Sequence, residues 1–274
     1  MSDDDDDVLM DLKNQQLDII ILILSGAIIA YVAFPFFSIL NFMEPTKLVE
    51  SFARPQLQNA FILSLISSTI STVILIFFGI PLSYCLARYN FRGKFILQSV
   101  VILPLILPPL ASGSLLLGVL GPTSTVGSYF PNIDFTQSLI GIVVAQTYIS
   151  SPFMILTNQA AFEAVDISFE MTSRVLGKGK VETFFRVTLP LAKSGIIIGI
   201  LLTWVRSIGE LGATMMMSYN PHTISIQIFE DNAIGGLQQA MPDIIMVILL
   251  SIIALIAVSL LKKKNTNSLK IAWN

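Results

Sequence analysis

Two charges lie where charges are rare. Arg206 and Glu210 stand deep within 192–217, a mostly apolar stretch long enough to cross a bilayer. Their i,i+4 spacing puts both on one face of a helix, within reach of each other. Ionisable groups at such depth face a bundle interior or water. The pair reads either as a structural ion pair that fixes helix register or as part of a solute pathway. In the second case Arg206 would attract an anion and Glu210 would blunt that attraction. Thr203, on the same stretch, is a further candidate for the pathway wall. A second unusual run is LPLILPPL, from Leu103 to Leu110, with Pro104, Pro108 and Pro109. Proline interrupts the helical ladder and frees carbonyls, which in a membrane need a neighbouring helix or a wet cavity. The small residues that follow, including Ser112 and Ser114, let helices approach closely. The run is read as a kinked packing helix, a pathway wall, or both.

Covalent chemistry has little to work with. His222 is the only histidine and has no H-E-x-x-H around it, and Ser114 has no intramembrane histidine to activate it. Cys85 is the only cysteine, so no intrachain disulfide forms, and it reads as a small packing residue. Met215, Met216 and Met217 near His222 suggest soft-metal binding less well than adaptable packing, so no metal site is expected. No G-x-x-x-x-G-K-[ST] loop occurs to cradle a nucleotide. An intramembrane hydrolase is therefore the remote alternative, and energy for any transport must come from a partner.

The elements that would hold these residues are membrane helices. The chain has 274 residues, 54% hydrophobic and 12% charged, against roughly 25% charged in soluble domains. The expected fold class is all-α, a polytopic membrane helix bundle. Six stretches reach the length of a span: 19–40, 57–86, 95–120, 138–156, 192–217 and 244–261. Residues 1–18, with aspartates from Asp3 to Asp7, are expected to be disordered and cytoplasmic. The first apolar stretch is expected to be an uncleaved anchor. Residues 19–261 are expected to form the membrane domain, and 262–274 a basic cytoplasmic tail. Lys and Arg concentrate after the second span (Arg88, Arg92, Lys94), after the fourth (Arg174, Lys178, Lys180, Arg186, Lys193) and in the tail (Lys262, Lys263, Lys264, Lys270). The opposite side carries only Lys47 and Arg54, so both termini are expected in the cytoplasm. A net charge of −2 without a basic stripe speaks against nucleic acid. The outer stretch 218–243 is expected to hold a short helix resting on the membrane surface, with breaks at Gly235-Gly236 and Pro242.

The most informative polar segment is Asp166 to Pro190, within a cytoplasmic loop of about 158–191. Asp166 suits an N-cap. Ile167, Met171 and Arg174/Val175 share one face of a helix. Gly177 suits the left-handed position that ends one. A short amphipathic helix of this kind, closely followed by glycines, fits a groove on a partner protein better than lipid headgroups.

That segment resembles the cytoplasmic loop of ABC importer permeases, whose pattern is EAA, three residues, Gly, nine residues, then Ile-x-Leu-Pro. Here Gly177 is followed by nine residues and then Val187-Thr188-Leu189-Pro190. The EAA half departs: the aligned positions read Met171-Thr172-Ser173, with Glu170 one place early. The stretch Trp204 to Thr214, WVRSIGELGAT, is similar to the A-R-x-x-G-E-F-G-A-T stretch of molybdate and tungstate permeases. LPLILPP and Leu86 to Lys94, LARYNFRGK, resemble the same group. The resemblance implies the type I importer permease fold in a prokaryotic cell membrane. It implies a homodimer working with two copies of an ABC ATPase that carries the ATP and Mg, and an extracytoplasmic oxyanion-binding protein. No cofactor is implied in this chain. The ATPase-coupling residues it implies are Asp166, Glu170, Met171, Arg174, Val175, Leu176, Gly177 and Pro190. The pathway candidates are Pro108, Ser112, Ser114, Thr203, Arg206 and Glu210. A sulfate or polyamine permease is the alternative within the same class.

Overall fold

The computed structural model describes residues 3–37, 39 and 50–271, and the side chains of 18–37, 39, 50–254 and 256. Residues Met1–Leu48 form one unit and Val49–Asn274 another. The first unit holds α1 (Asp3–Ala33), closed by a 3-10 turn at Phe34–Phe37. From Asp18 to Phe37 its side chains are exposed and apolar on every face, which suits lipid rather than water. The aspartate run, expected to be disordered, is instead helical and continuous with this span. Acidic residues at a helix N-terminus are favoured by the macrodipole, which offsets their mutual repulsion.

The second unit is a bundle built around α5 (Leu139–Glu163). The long α2 (Pro55–Arg88) and α8 (Leu189–Ile208) pack along α5, and α10 (Ile224–Ile271) packs on α2 and α8. Among the described residues five helical stretches are long and apolar enough to cross a membrane: Asp18–Phe37, Pro55–Arg88, Leu139–Glu163, Lys180–Ile208 and Ile224–Ala254. Small and hydroxylated residues line the contacts. Gly195 lies against Ala161, and Gly199 so close to Asn158 that a Cβ there would come within 2.8 Å of Oδ1. Thr147 donates to Ser71 at 3.1 Å, Ser207 to Ser150 at 2.8 Å and Trp204 Nε1 to Thr69 at 3.1 Å. Close backbones and interhelical hydrogen bonds hold membrane helices together where burial of apolar surface cannot.

Four expectations change. The stretch 95–120 is not one helix. It breaks into α3 (Lys94–Ile106) and α4 (Pro109–Leu120), bent by 115°. Pro108 and Pro109 cannot donate the ladder bonds that would carry α3 onward. Val101 of α3 packs with Ile155 of α5, and Leu116, Leu117 and Leu120 of α4 pack with Ala145 and Ile149 further back along it. Both halves of the broken stretch thus pack on α5. The stretch 192–217 is also broken: α8 ends at Ile208, and α9 (Gly212–Met217) follows after a non-helical step. The helix of the fourth span runs on past 156 to Glu163. Helix also begins earlier than 244, at Ile224, and its start packs on the bundle. Ile224 and Ile226 are fully buried, Ile224 against Leu57 and Ile208, and the Ile224 N–H donates to Ser64 at 2.8 Å. The backbone kinks at Gly236 (φ 67°) before the helix continues through Pro242. The basic tail is helical to Ile271.

Candidate coupling loop and helix breaks

At the end of the bundle where α5 stops, α6 (Ile167–Val175) stands alone as a nine-residue helix. Asp166 caps it, accepting from the Ser168 N–H at 2.8 Å, and these bonds hold its carboxyl below the usual range. The other end closes as expected. Gly177 is left-handed at φ 84°, its N–H donates to Arg174 O at 3.0 Å, and the Lys178 N–H donates to Ser173 O at 3.1 Å. These are the two bonds of a Schellman termination. After the turn, α7 (Lys180–Thr183) passes through a π-helical turn at Phe184–Thr188 into α8. The Leu189 N–H donates to Phe184 O, five residues back, and Pro190 next to it has no N–H to restore the ordinary register.

The faces of α6 divide sharply. Met171 is 57% exposed, Leu176 75% and Val175 87%, and Ile167 and Phe169 are also exposed. The buried residues of this helix are polar, Glu170 and Ser173. Glu170, grouped with the partner-facing residues by sequence, turns inward. Arg88 Nε donates to its carboxylate at 2.8 Å and Tyr84 Oη at 3.1 Å, while Arg174 approaches within 3.7 Å. Arg88 also donates to Val165 O at 2.7 Å, and Ser173 bonds to Thr183 at 3.1 Å. Tyr84 stacks edgewise on Phe162 and Phe184 beneath this cluster.

Further along the bundle, Arg206 and Glu210 do pair, at 2.7 Å, but across the end of α8 rather than along a continuous helix. Glu210 is 1% exposed, and its second oxygen accepts the Ala213 N–H at 2.8 Å. That carboxylate therefore ties the last turn of α8 to the first turn of α9. Arg206 has a side chain 29% exposed, and its guanidinium lies 6.0 Å above the Phe153 ring. The two helix breaks meet: a Cβ on Gly212 would come within 2.8 Å of Pro109 and 3.0 Å of the Leu110 nitrogen. Pro108 is exposed at the α3–α4 break. Ser112 is buried with no partner for its hydroxyl, while Ser114 is exposed and bonds back to Leu110 O at 3.0 Å. Thr203 is buried and bonds back to Gly199 O at 2.7 Å. Irregular backbone in a membrane protein is tolerated where it is buried in protein or lines a wet cavity.

Sequence reasoning missed a third cluster, at the opposite end of α2. Arg54, counted only as an outer-loop charge, bonds Asp231 at 3.0 Å and Asp243 at 3.1 Å. Gln227 and Gln239 also donate to Asp231. The one available signal was three acids, Glu230, Asp231 and Asp243, in a segment that holds neither Lys nor Arg. Nearby, Tyr219 and His222 both contact Glu230 at 3.0 Å, and the hydrogen bond to Glu230 holds the Tyr219 phenol above its ordinary range. His222 is thus engaged by a carboxylate, and Met217 is buried against Ala145 and Ile149.

The chain is similar to known proteins in sequence and in fold. Haloferax volcanii has a probable molybdenum ABC transporter permease protein 38% identical over 86% of this chain and 87% of its own length. The molybdate/tungstate transport system permease protein of Pyrococcus abyssi is 34% identical over 84% of this chain and 88% of its own. The molybdenum transport system permease protein of Escherichia coli K12 is 40% identical over 59% and 72%. Among solved structures, a bacterial alginate ABC transporter aligns with a TM-score of 0.66 at 18% identity, over 92% of this chain and 94% of that one. The MetNI methionine ABC transporter aligns with a TM-score of 0.64 at 13% identity, over 81% and 99%. At such identities the likeness is one of fold. The family described as the binding-protein-dependent transport system inner membrane component matches residues 79–266, from the C-terminal part of α2 to the last span, and the chain belongs to that family.

Proposed function

We propose that this chain is the permease of an ATP-driven importer for tetrahedral oxyanions of the molybdate and tungstate class. The observation that carries the reading is α6: a capped helix with its apolar side chains Met171, Val175 and Leu176 turned outward at the basic end of the bundle. Exposed apolar residues on a short, rigidly terminated helix suit a groove on a partner, and a separate ATPase with its own ATP and Mg is the partner this family of importers requires. Two copies of the chain would enclose the pathway, and a binding protein would deliver the anion to the outer face. Closure of the ATPase pair would push α6 and switch the dimer between inward- and outward-facing states. Both termini lie in the cytoplasm in this arrangement, as the Lys and Arg distribution supports. The names of the relatives from Haloferax and Pyrococcus support the anion class. In this reading Arg206, near the end of α8 and partly exposed, attracts the dianion.

The test is reconstitution of the permease with its ATPase in liposomes, with the binding protein outside, and a panel of molybdate, tungstate, sulfate and a polyamine. Stimulation of ATP hydrolysis and uptake by molybdate or tungstate is expected. Stimulation by sulfate or polyamine alone overturns the anion assignment.

A further inference from the structure

The inner end of α2 carries a clamp whose partners point to a mechanical role. On α6 the apolar side chains face away from the bundle, so burial of apolar surface does not hold this helix in place. What holds it is polar. Glu170, 2% exposed, accepts from Arg88 and from Tyr84, both on the last turns of α2. The same Arg88 guanidinium reaches Val165 O, the residue before the α6 cap, so one side chain grips the loop at two points.

From that clamp α2 runs 34 residues, about 51 Å at 1.5 Å per residue. Pro81 removes one rung of the ladder, but the helix is braced there where Gly79 packs on Met154. At its far end Arg54 holds Asp231 and Asp243, one on each side of the Gly236 kink in α10.

We infer that Glu170 is a positioning residue for coupling: through Arg88 it passes displacement of α6 into α2, and so to the kinked helix at the outer face. The inference rests on the proposed docking of α6 on an ATPase. Charged and hydrogen-bonded contacts are stiff and directional, which suits a link that must transmit both push and pull. An apolar contact at the same place would let α6 slide.

The experiment uses the complete reconstituted transporter and reads molybdate transported per ATP hydrolysed. It compares Glu170→Ala, Arg88→Ala, the double variant and Arg88→Lys. A cysteine at Val175 reports contact with the ATPase by cross-linking. Each alanine variant is expected to keep the cross-link and to hydrolyse ATP, while transport per ATP falls about tenfold or more. The double variant is expected to be no worse than the worse single, as for two residues acting through one contact. Arg88→Lys should recover part of the loss, because the charge survives and the two-point fork does not. Glu170→Gln replaces Glu170→Ala if the latter fails to fold, since it keeps the shape and loses the charge. Unchanged transport per ATP in the Glu170 variant overturns the inference, and so does loss of the Val175 cross-link on removing Glu170. A Val175 cysteine that never cross-links in the parent complex overturns the docking reading instead. Absence of molybdate transport in the parent complex with an intact cross-link falls on the anion assignment alone, and transport per ATP is then read with whichever solute of the panel the parent transports.

Discussion

Replacing Gly177 separates backbone strain from packing with unusual clarity. A Cβ at this position would meet nothing within 4 Å, so a larger side chain costs no collision. What it costs is the left-handed backbone, φ 84°, which an L-residue occupies at a penalty of about 1–2 kcal/mol. Asn tolerates this region best among the non-glycine residues, Ala less well, and a β-branched residue worst. The expected order of damage is Asn, then Ala at about 1 kcal/mol, then Val at about 2 kcal/mol or more. At ~1.4 kcal/mol per tenfold, the Val variant holds the termination roughly thirtyfold less firmly than Gly. Two hydrogen bonds depend on it, Gly177 N–H to Arg174 O and Lys178 N–H to Ser173 O. Hydrogen exchange at those amides should accelerate in the same order, and substrate-stimulated ATP hydrolysis should fall with it while membrane insertion is retained. Equal effects for Asn, Ala and Val would refute the strain account, as would a Val variant with unchanged coupling.

Three more outcomes follow from the ion pairs and the topology. Arg206→Ala leaves Glu210 buried beside one remaining N–H partner and should destabilise the bundle by about 2–3 kcal/mol, under the range for fully buried pairs because Arg206 is partly exposed. The double change Arg206→Met with Glu210→Gln should recover thermal stability; recovered stability with transport still low assigns Arg206 to the anion, while no recovery shows that the pair is not coupled. Arg54→Ala strands Asp231 and Asp243 and should lower the melting temperature more than Arg88→Lys does. Asparagine at both acids should restore it, and a failure to do so would refute Arg54 as their counter-charge. A cysteine at exposed Ser128 should react with an impermeant thiol reagent from outside, and one at exposed Lys178 from the cytoplasmic side alone; the reverse pattern would invert the topology.

Local physics made much of this protein legible from its residue order. Asp166 and Gly177 announce the ends of α6 because a cap and a left-handed turn are decided within four or five residues. The apolar stretches announce their spans because a bilayer tests each segment for length and polarity on its own. The prolines at 108 and 109 announce a disturbed helix, since a missing N–H acts locally. Direction and partnership lay beyond that reach. Glu170 turns inward because Arg88, 82 residues away, waits beside it. Arg54 is a clamp rather than a loop charge because its acids lie 177 and 189 residues further on. The amount of bend at the α3–α4 break, the end of α8 before Glu210, and the meeting of those two breaks at Pro109 and Gly212 depend on how backbones pack. Within a bilayer, packing distance and the pairing of distant polar groups are set when helices assemble, and no single helix contains that information.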